Sequence, residues 1–273
     1  MSQIFEVARR LSNRPLALVQ GEADLLAAAL RGDAPAPEAF GYGRSAERDR
    51  QYGLIDGVAI IPVKGVLFQG GWGWSWATGY DWIRQGFLTA VADPEVRAIV
   101  LDVDSPGGEV AGCFDLVDTI YAARGTKPLA AILSESAYSA AYALASAVDP
   151  GRVYVPRTGG TGSIGVIWMH VDWSAALAEH GIKVTFITYG DCKADGHPEI
   201  PLSKEARKRF QADVDMMGDL FVETVARNRN LPAAKVRGTQ AATFLGQQGV
   251  DLGLADAVMA PDAAFLALLD ELG

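Results

Sequence analysis

The chain has 273 residues, 49% of them hydrophobic and 21% charged, with a net charge of −9. That is enough apolar material for one large domain or two small ones. The negative balance argues against a general nucleic-acid binder, which needs basic surface to displace the counterions of phosphates.

Two cysteines, Cys113 and Cys192, make neither a disulfide framework nor a Cys/His metal cluster, so free thiols in a reducing compartment are expected. No apolar run approaches the ~20 residues of a membrane span. The first ten residues carry Glu6 and lack the apolar core of a signal peptide. The expectation is a soluble, cytoplasmic protein without metal or cofactor.

Residues 1 to about 32 read as two short helices around Asn13-Arg14-Pro15. Gly32-Asp33-Ala34-Pro35-Ala36-Pro37 and the charged stretch Arg44 to Arg50 then read as a linker. The domain boundary is placed near residue 52. This gives an N-terminal arm over 1–52, a main domain over 53–260 and a closing helix over 261–273. Within the main domain, strand candidates are 58–63, 98–103, 129–133, 153–155, 166–169 and 184–187. Amphipathic windows at 79–92, 109–123, 138–147, 173–180 and 203–229 predict helices, as does 261–271 in the tail. Short apolar strands alternating with helices predict an α/β fold, a parallel sheet with helices on its faces.

Ligands in such folds sit at the carboxyl ends of the strands. Four junctions there are unusual. Asp104-Ser105-Pro106-Gly107-Gly108-Glu109 offers glycines whose N–H groups could face an oxyanion at a helix start, or could form a plain strand-to-helix turn. Ser139 follows a strand among small residues (Ala137, Ala140, Ala141, Ala143), which suits a nucleophile, an N-cap or close helix packing equally. The loop Gly159-Gly160-Thr161-Gly162-Ser163-Ile164-Gly165 is glycine-rich but lacks the Lys-Ser/Thr ending of a phosphate loop. Lys193 in Tyr189-Gly190-Asp191-Cys192-Lys193-Ala194-Asp195-Gly196-His197-Pro198 is by default a solvated charge, and becomes a candidate base only if buried beside a serine. The three histidines, His170, His180 and His197, could each serve a Ser-His-Asp triad, but none has a context that singles it out.

These segments, in this order, resemble the S49 serine peptidases, the signal-peptide-peptidase-A-like family on the ClpP/crotonase fold. The resemblance runs from about residue 54 to 258 and extends to a closing helix and strand at Gly249-Val250-Asp251-Leu252-Gly253-Leu254-Ala255-Asp256. Within the family the chain is most similar to the head-maturation proteases of lambda-like bacteriophages. That likeness is carried by Thr78-Gly79-Tyr80, Asp93-Pro94, Ala111-Gly112-Cys113-Phe114-Asp115, Leu144-Ala145-Ser146-Ala147 and Lys193-Ala194-Asp195-Gly196-His197-Pro198. Bacterial members carry an N-terminal membrane anchor, which this sequence lacks, and that favours the phage-type reading.

The resemblance implies Ser139 as nucleophile and Lys193 as general base and later acid. Ser163 would orient the lysine, and the N–H groups of Gly108 and Ala140 would form the oxyanion hole. Ala140 and Ala141 depart from the family pattern, where glycines often follow the nucleophile. The resemblance also implies a homo-oligomer, a ring being the arrangement expected, with a site that neighbouring subunits can share. Its substrates would be scaffold, portal or capsid proteins cut after small residues, alanine above all. The tract Gly71-Trp72-Gly73-Trp74-Ser75-Trp76-Ala77-Thr78 could supply partner surface or core. Other readings are a soluble signal-peptide-peptidase-like protease, an inactive capsid or scaffold-associated protein, and a crotonase-type acyl-CoA enzyme that uses Gly107 and Gly108.

Overall fold

Runs of aliphatic and β-branched residues set the frame of the molecule. The computed structural model describes residues 15–18, 50–71, 73–74 and 77–273. The side chains of Leu18, Gly73 and Trp74 are not among them. Trp72 and Trp76 lie outside the described residues, as do most of the helical arm and the linker expected before residue 52.

The central sheet has six strands. In chain order they are β2 (Gly53–Ile55), β3 (Val58–Lys64), β7 (Ala98–Ser105), β9 (Leu129–Ala137), β10 (Val153–Val155) and β13 (Ala257–Val258). Their spatial order is β13-β10-β9-β7-β3-β2, parallel throughout except for the β2–β3 hairpin. Alternate residues serve opposite faces. Ala59, Ile61, Val63, Ile99, Leu101, Val103, Leu129, Ala131 and Leu133 meet the main core. Helices α1 (Tyr80–Ala92), α2 (Cys113–Ala122), α3 (Ala140–Ser146) and α5 (Lys204–Arg229) contribute to that same core through Ile83, Phe87, Val117, Ile120, Tyr142, Phe221 and Val225. The other face, with Val58, Ala98, Val100, Ala130 and Ile132, is covered by α8 (Pro261–Leu272) through Ala264 and Leu268. The tail helix is thus a working wall of the sheet.

A second sheet runs β1-β8-β4-β6-β5, where β1 is Leu16–Leu18, β4 is Val66–Phe68, β5 is Gly73–Trp74, β6 is Ala77–Gly79 and β8 is Gly107–Glu109. A two-stranded ribbon pairs β11 (Gly160–Gly162) with β12 (Thr243–Leu245). The short α4 (Ser174–Glu179), α6 (Ala233–Gly238) and α7 (Gln247–Asp251) complete the elements. Parallel sheets flanked by helices are the α/β arrangement expected of the S49 and ClpP-like fold.

Three local readings are corrected. Leu16–Leu18 is a strand paired antiparallel with Gly107–Glu109, not helix, and its other side bonds to Ile167, partners that local propensity does not reveal. Gly107–Glu109 is itself strand, and the following helix waits until Cys113, after Gly112 at φ 82°. Residues 166–169 and 184–187 form no strand: Ile167 makes one isolated bridge to Leu16, and Ile187 is fully exposed. Their contacts lie elsewhere: Ile167 bonds to Leu16, Trp168 packs on Phe210 and Phe186 lies against His197, so neither run extends a sheet.

Candidate active site

Three chain segments converge where β7 and β9 end. A register shift between Val103 and Ser105 lets β9 continue past its regular pairing, with Ser105 opposite Ala137. The Tyr138 N–H then donates to the Ser105 carbonyl at 3.1 Å. Ser139 follows as the residue before α3, at φ 53° and ψ −122°, a backbone region that side-chain-bearing residues seldom occupy. Its N–H donates to the Gly162 carbonyl at 2.8 Å, which ties the nucleophile candidate to the glycine-rich loop. Its Oγ lies 3.5 Å from the Gly165 carbonyl oxygen. Ser139 is buried, as is every residue of α3. Ala140 opens that helix, so its N–H lies among those without an acceptor in the preceding turn.

The glycines at this junction are required by close backbone approach. A Cβ on Gly108 would stand 1.8 Å from the Leu67 carbonyl oxygen, and one on Gly107 (φ 104°) would stand 2.9 Å from Ser139 Cβ. Backbone donors can therefore sit directly against the serine. The Gly107 N–H is itself held by Ser105 Oγ at 3.2 Å.

Ser163 is also buried and also at positive φ, 54°, with its N–H bonded to the Ala242 carbonyl at 2.9 Å. It directly follows Gly162, whose carbonyl receives the Ser139 N–H, so the two serines stand on neighbouring backbone. Ser139, Gly107, Gly108, Ala140 and Ser163 are thereby brought together.

Lys193 is joined to none of them by a hydrogen bond among the described residues. It lies in an exposed turn, and its ammonium makes no hydrogen bond or ion pair among the described residues. The turn itself is anchored: Arg209 Nε donates to Asp195 at 3.1 Å, and Gly196 fits against Trp168 and Phe210, whose rings are 4.0 Å apart. Exposed Ile182, Ile187 and Tyr189 precede it. No histidine hydrogen-bonds Ser139 among the described residues: His170 meets the His197 carbonyl, His180 the Ala176 carbonyl, and His197 Nδ1 lies 3.1 Å from a Glu199 carboxylate oxygen. Lys64 directs its ammonium to Asp102 and Ser134, at 2.6 Å each. That polar cluster across β3, β7 and β9 had no signal in the sequence, because its members are far apart in the chain.

No helix among the described residues is long and apolar enough to cross a membrane. Head-tail preconnector protein GP5 of Enterobacteria phage P21 is 42% identical over 210 residues, 76% of this chain and 42% of that protein. Capsid assembly protease C of Escherichia phage lambda is 37% identical over 226 residues, 82% of this chain and 51% of that protein. Protease 4 of Haemophilus influenzae is 25% identical over 215 residues, 78% and 34% of the two chains. The chain thus spans about half, or less, of the length of these relatives. The model of peptidase family S49 matches residues 122–272, which include Ser139, Ser163 and Lys193. With more than half of its length matched by that model, the chain belongs to peptidase family S49.

Proposed function

We propose that the chain is a serine endopeptidase of phage capsid assembly, with Ser139 as nucleophile and Lys193 of a neighbouring copy as base. The observation that carries the reading is the convergence on Ser139 of two glycine backbones, a helix N-terminus and the Ser163 loop. The hydroxyl attacks the scissile carbonyl, and the developing oxyanion is held by the N–H groups of Gly108 and Ala140. The lysine takes the serine proton and returns it to the leaving amine; water then hydrolyses the acyl-enzyme. Ser163, beside the nucleophile, orients the incoming lysine amine.

Sharing of the site between copies in a homo-oligomer, a ring being one arrangement that satisfies it, is supported by the exposed turn of Lys193. Apolar side chains such as Ile187 and Tyr189 beside it are the kind of surface that partners cover. The substrates proposed are scaffold, portal and capsid proteins; a capsid setting is supported by the name of the lambda relative, a capsid assembly protease.

Cleavage of a purified scaffold protein tests this. Ser139→Ala and Lys193→Ala should each abolish it, and Lys193→Arg should not rescue it, since arginine stays protonated. Mixing the Ser139→Ala and Lys193→Ala chains should restore part of the activity. Full activity of the Lys193→Ala chain alone would remove lysine from the mechanism; inactivity of the mixture would place both groups in one chain.

A further inference from the structure

The short strand β1 lies across the site just described. Leu16 and Ala17 are buried, and β1 is flanked on both sides by other backbone. On one side it runs antiparallel to β8, with Leu16 opposite Glu109, Ala17 opposite Gly108 and Leu18 opposite Gly107. On the other side Leu16 exchanges both of its hydrogen bonds with Ile167, each at 2.8 Å.

The register specifies which carbonyl faces the serine. The Val110 N–H donates to the Pro15 carbonyl at 3.3 Å, so Pro15 and Val110 are a hydrogen-bonded pair. Hydrogen-bonded and non-bonded pairs alternate along an antiparallel ladder. The next bonded pair is therefore Ala17 with Gly108, and the Gly108 N–H points to the Ala17 carbonyl. The point where a Gly107 Cβ would stand confirms the proximity: it lies 2.1 Å from the Ala17 oxygen and 2.9 Å from Ser139 Cβ. Thus the Ala17 carbonyl is held by an N–H assigned to the oxyanion hole and shares one contact point with the nucleophile. An extended strand clamped between two backbones, with a small residue at the serine, has the form of a bound peptide substrate.

We propose that Pro15-Leu16-Ala17-Leu18 is a substrate of this chain's own site, and that Ser139 cleaves the bond between Ala17 and Leu18. The same cleft, walled by Gly107–Glu109 and Ile167, is then the channel in which other extended peptides bind. The step balances with water alone. Ser139 Oγ bonds to the Ala17 carbonyl carbon and gives its proton to the base. The bond from Ala17 to the Leu18 nitrogen breaks as that nitrogen receives the proton. Water then cleaves the ester, leaving a carboxylate on Ala17, a free amine on Leu18 and the serine restored. Removal of residues 1–17 empties the cleft, so self-cleavage would also open the site to other proteins.

This inference rests on Ser139 being the nucleophile, and the test separates the two. The full chain is purified, its mass and N-terminal sequence are read over time, and cleavage of an added peptide containing Pro-Leu-Ala-Leu is followed in parallel. The wild-type chain should come to begin at Leu18, and Ser139→Ala should keep residues 1–17. Ala17→Trp, whose side chain cannot fit where Ala17 is buried, should displace the segment from the cleft, so the variant should keep residues 1–17 yet still cut the added peptide, which also shows that it is folded. Ala17→Gly should still be processed. A wild-type chain that cuts the peptide but keeps its own N-terminus overturns the inference, as does processing at Leu18 in the Ala17→Trp chain. If wild type cuts neither, the role of Ser139 falls and the inference falls with it.

Discussion

At Ser139 the backbone sits at φ 53° and ψ −122°, and Ser163 beside it is at φ 54°. Such conformations cost about 1–3 kcal/mol for a residue with a side chain and persist only where the surroundings impose them. Here the imposing contacts are the bonds from the Tyr138 and Ser139 N–H groups to the Ser105 and Gly162 carbonyls. Strain of this kind aims the hydroxyl at the site and away from a helix-capping role: Ser139 makes no side-chain cap bond to α3. Glycine relieves that strain, so Ser139→Gly should be inactive yet raise stability by about 1 kcal/mol, read by urea denaturation. A variant less stable than wild type would mean that the hydroxyl, rather than the backbone, holds the turn. Ser139 and Gly108 were legible as candidates because small residues cluster around them. Their convergence was not, since it depends on a register shift between β7 and β9 that leaves no local mark.

At the scale of elements, α3 is wholly buried and is pinned from several directions. The Tyr142 hydroxyl donates to the Leu254 carbonyl at 2.8 Å, and Ser146 Oγ accepts from the Asn228 side chain of α5 at 3.0 Å. The end of α5 is in turn anchored to the closing strand. Arg229 is almost fully buried and forms a two-pronged bond to Asp256, at 3.0 and 2.7 Å, while Asp256 also accepts the Val153 N–H at the start of β10. Removing one partner strands the other in a poorly solvated place. Arg229→Ala should therefore cost about 3 kcal/mol, measured as a lower denaturation midpoint. A loss within experimental error would show that water replaces the guanidinium. The long helix α5, the strands of the central sheet and the tail helix were readable from apolar periodicity, because their faces are buried in the ordinary way. Residues 166–169 and 184–187 misled the same reasoning. Their apolar side chains are not paid into this chain's core, and Ile187 and Tyr189 face outward.

Over the whole molecule, buried neutral acids set the response to alkali. Burial pushes the Cys113 thiol up to about 12, and burial with the bond to Asp93 pushes Tyr52 up to about 12. Burial also raises Tyr80 and Tyr142. Each of these groups holds its proton more tightly folded than unfolded, where thiols and phenols ionise near ~8.5 and ~10. Their contribution to stability is complete below that unfolded range and is lost as pH climbs toward about 12. Melting temperature should therefore fall steadily above about pH 9, from the unfolded thiol range upward. In the same native protein, exposed Cys192 should react with a thiol reagent while buried Cys113 should not, until denaturant is added. Two reactive thiols in the native state would contradict the burial.

The sequence by itself determined the α/β class, most of the helices, the principal strands and the membership signalled by four ordered motifs. These follow from periodicity and from residue types that only certain backbones tolerate, which are local properties. The tertiary structure decided the rest. It turned Gly107 and Gly108 from a loop into a strand paired with β1 and β4, where Leu67 approaches Gly108 and Ala17 approaches Gly107 too closely for any side chain. It left Lys193 exposed, in a turn that packs on α5 through Asp195 and Gly196. It also laid Leu16–Leu18 into the cleft, where two backbones separated by some sixty residues complete its hydrogen bonds. Pairings of that range are settled by the fold, and no window along the chain contains them.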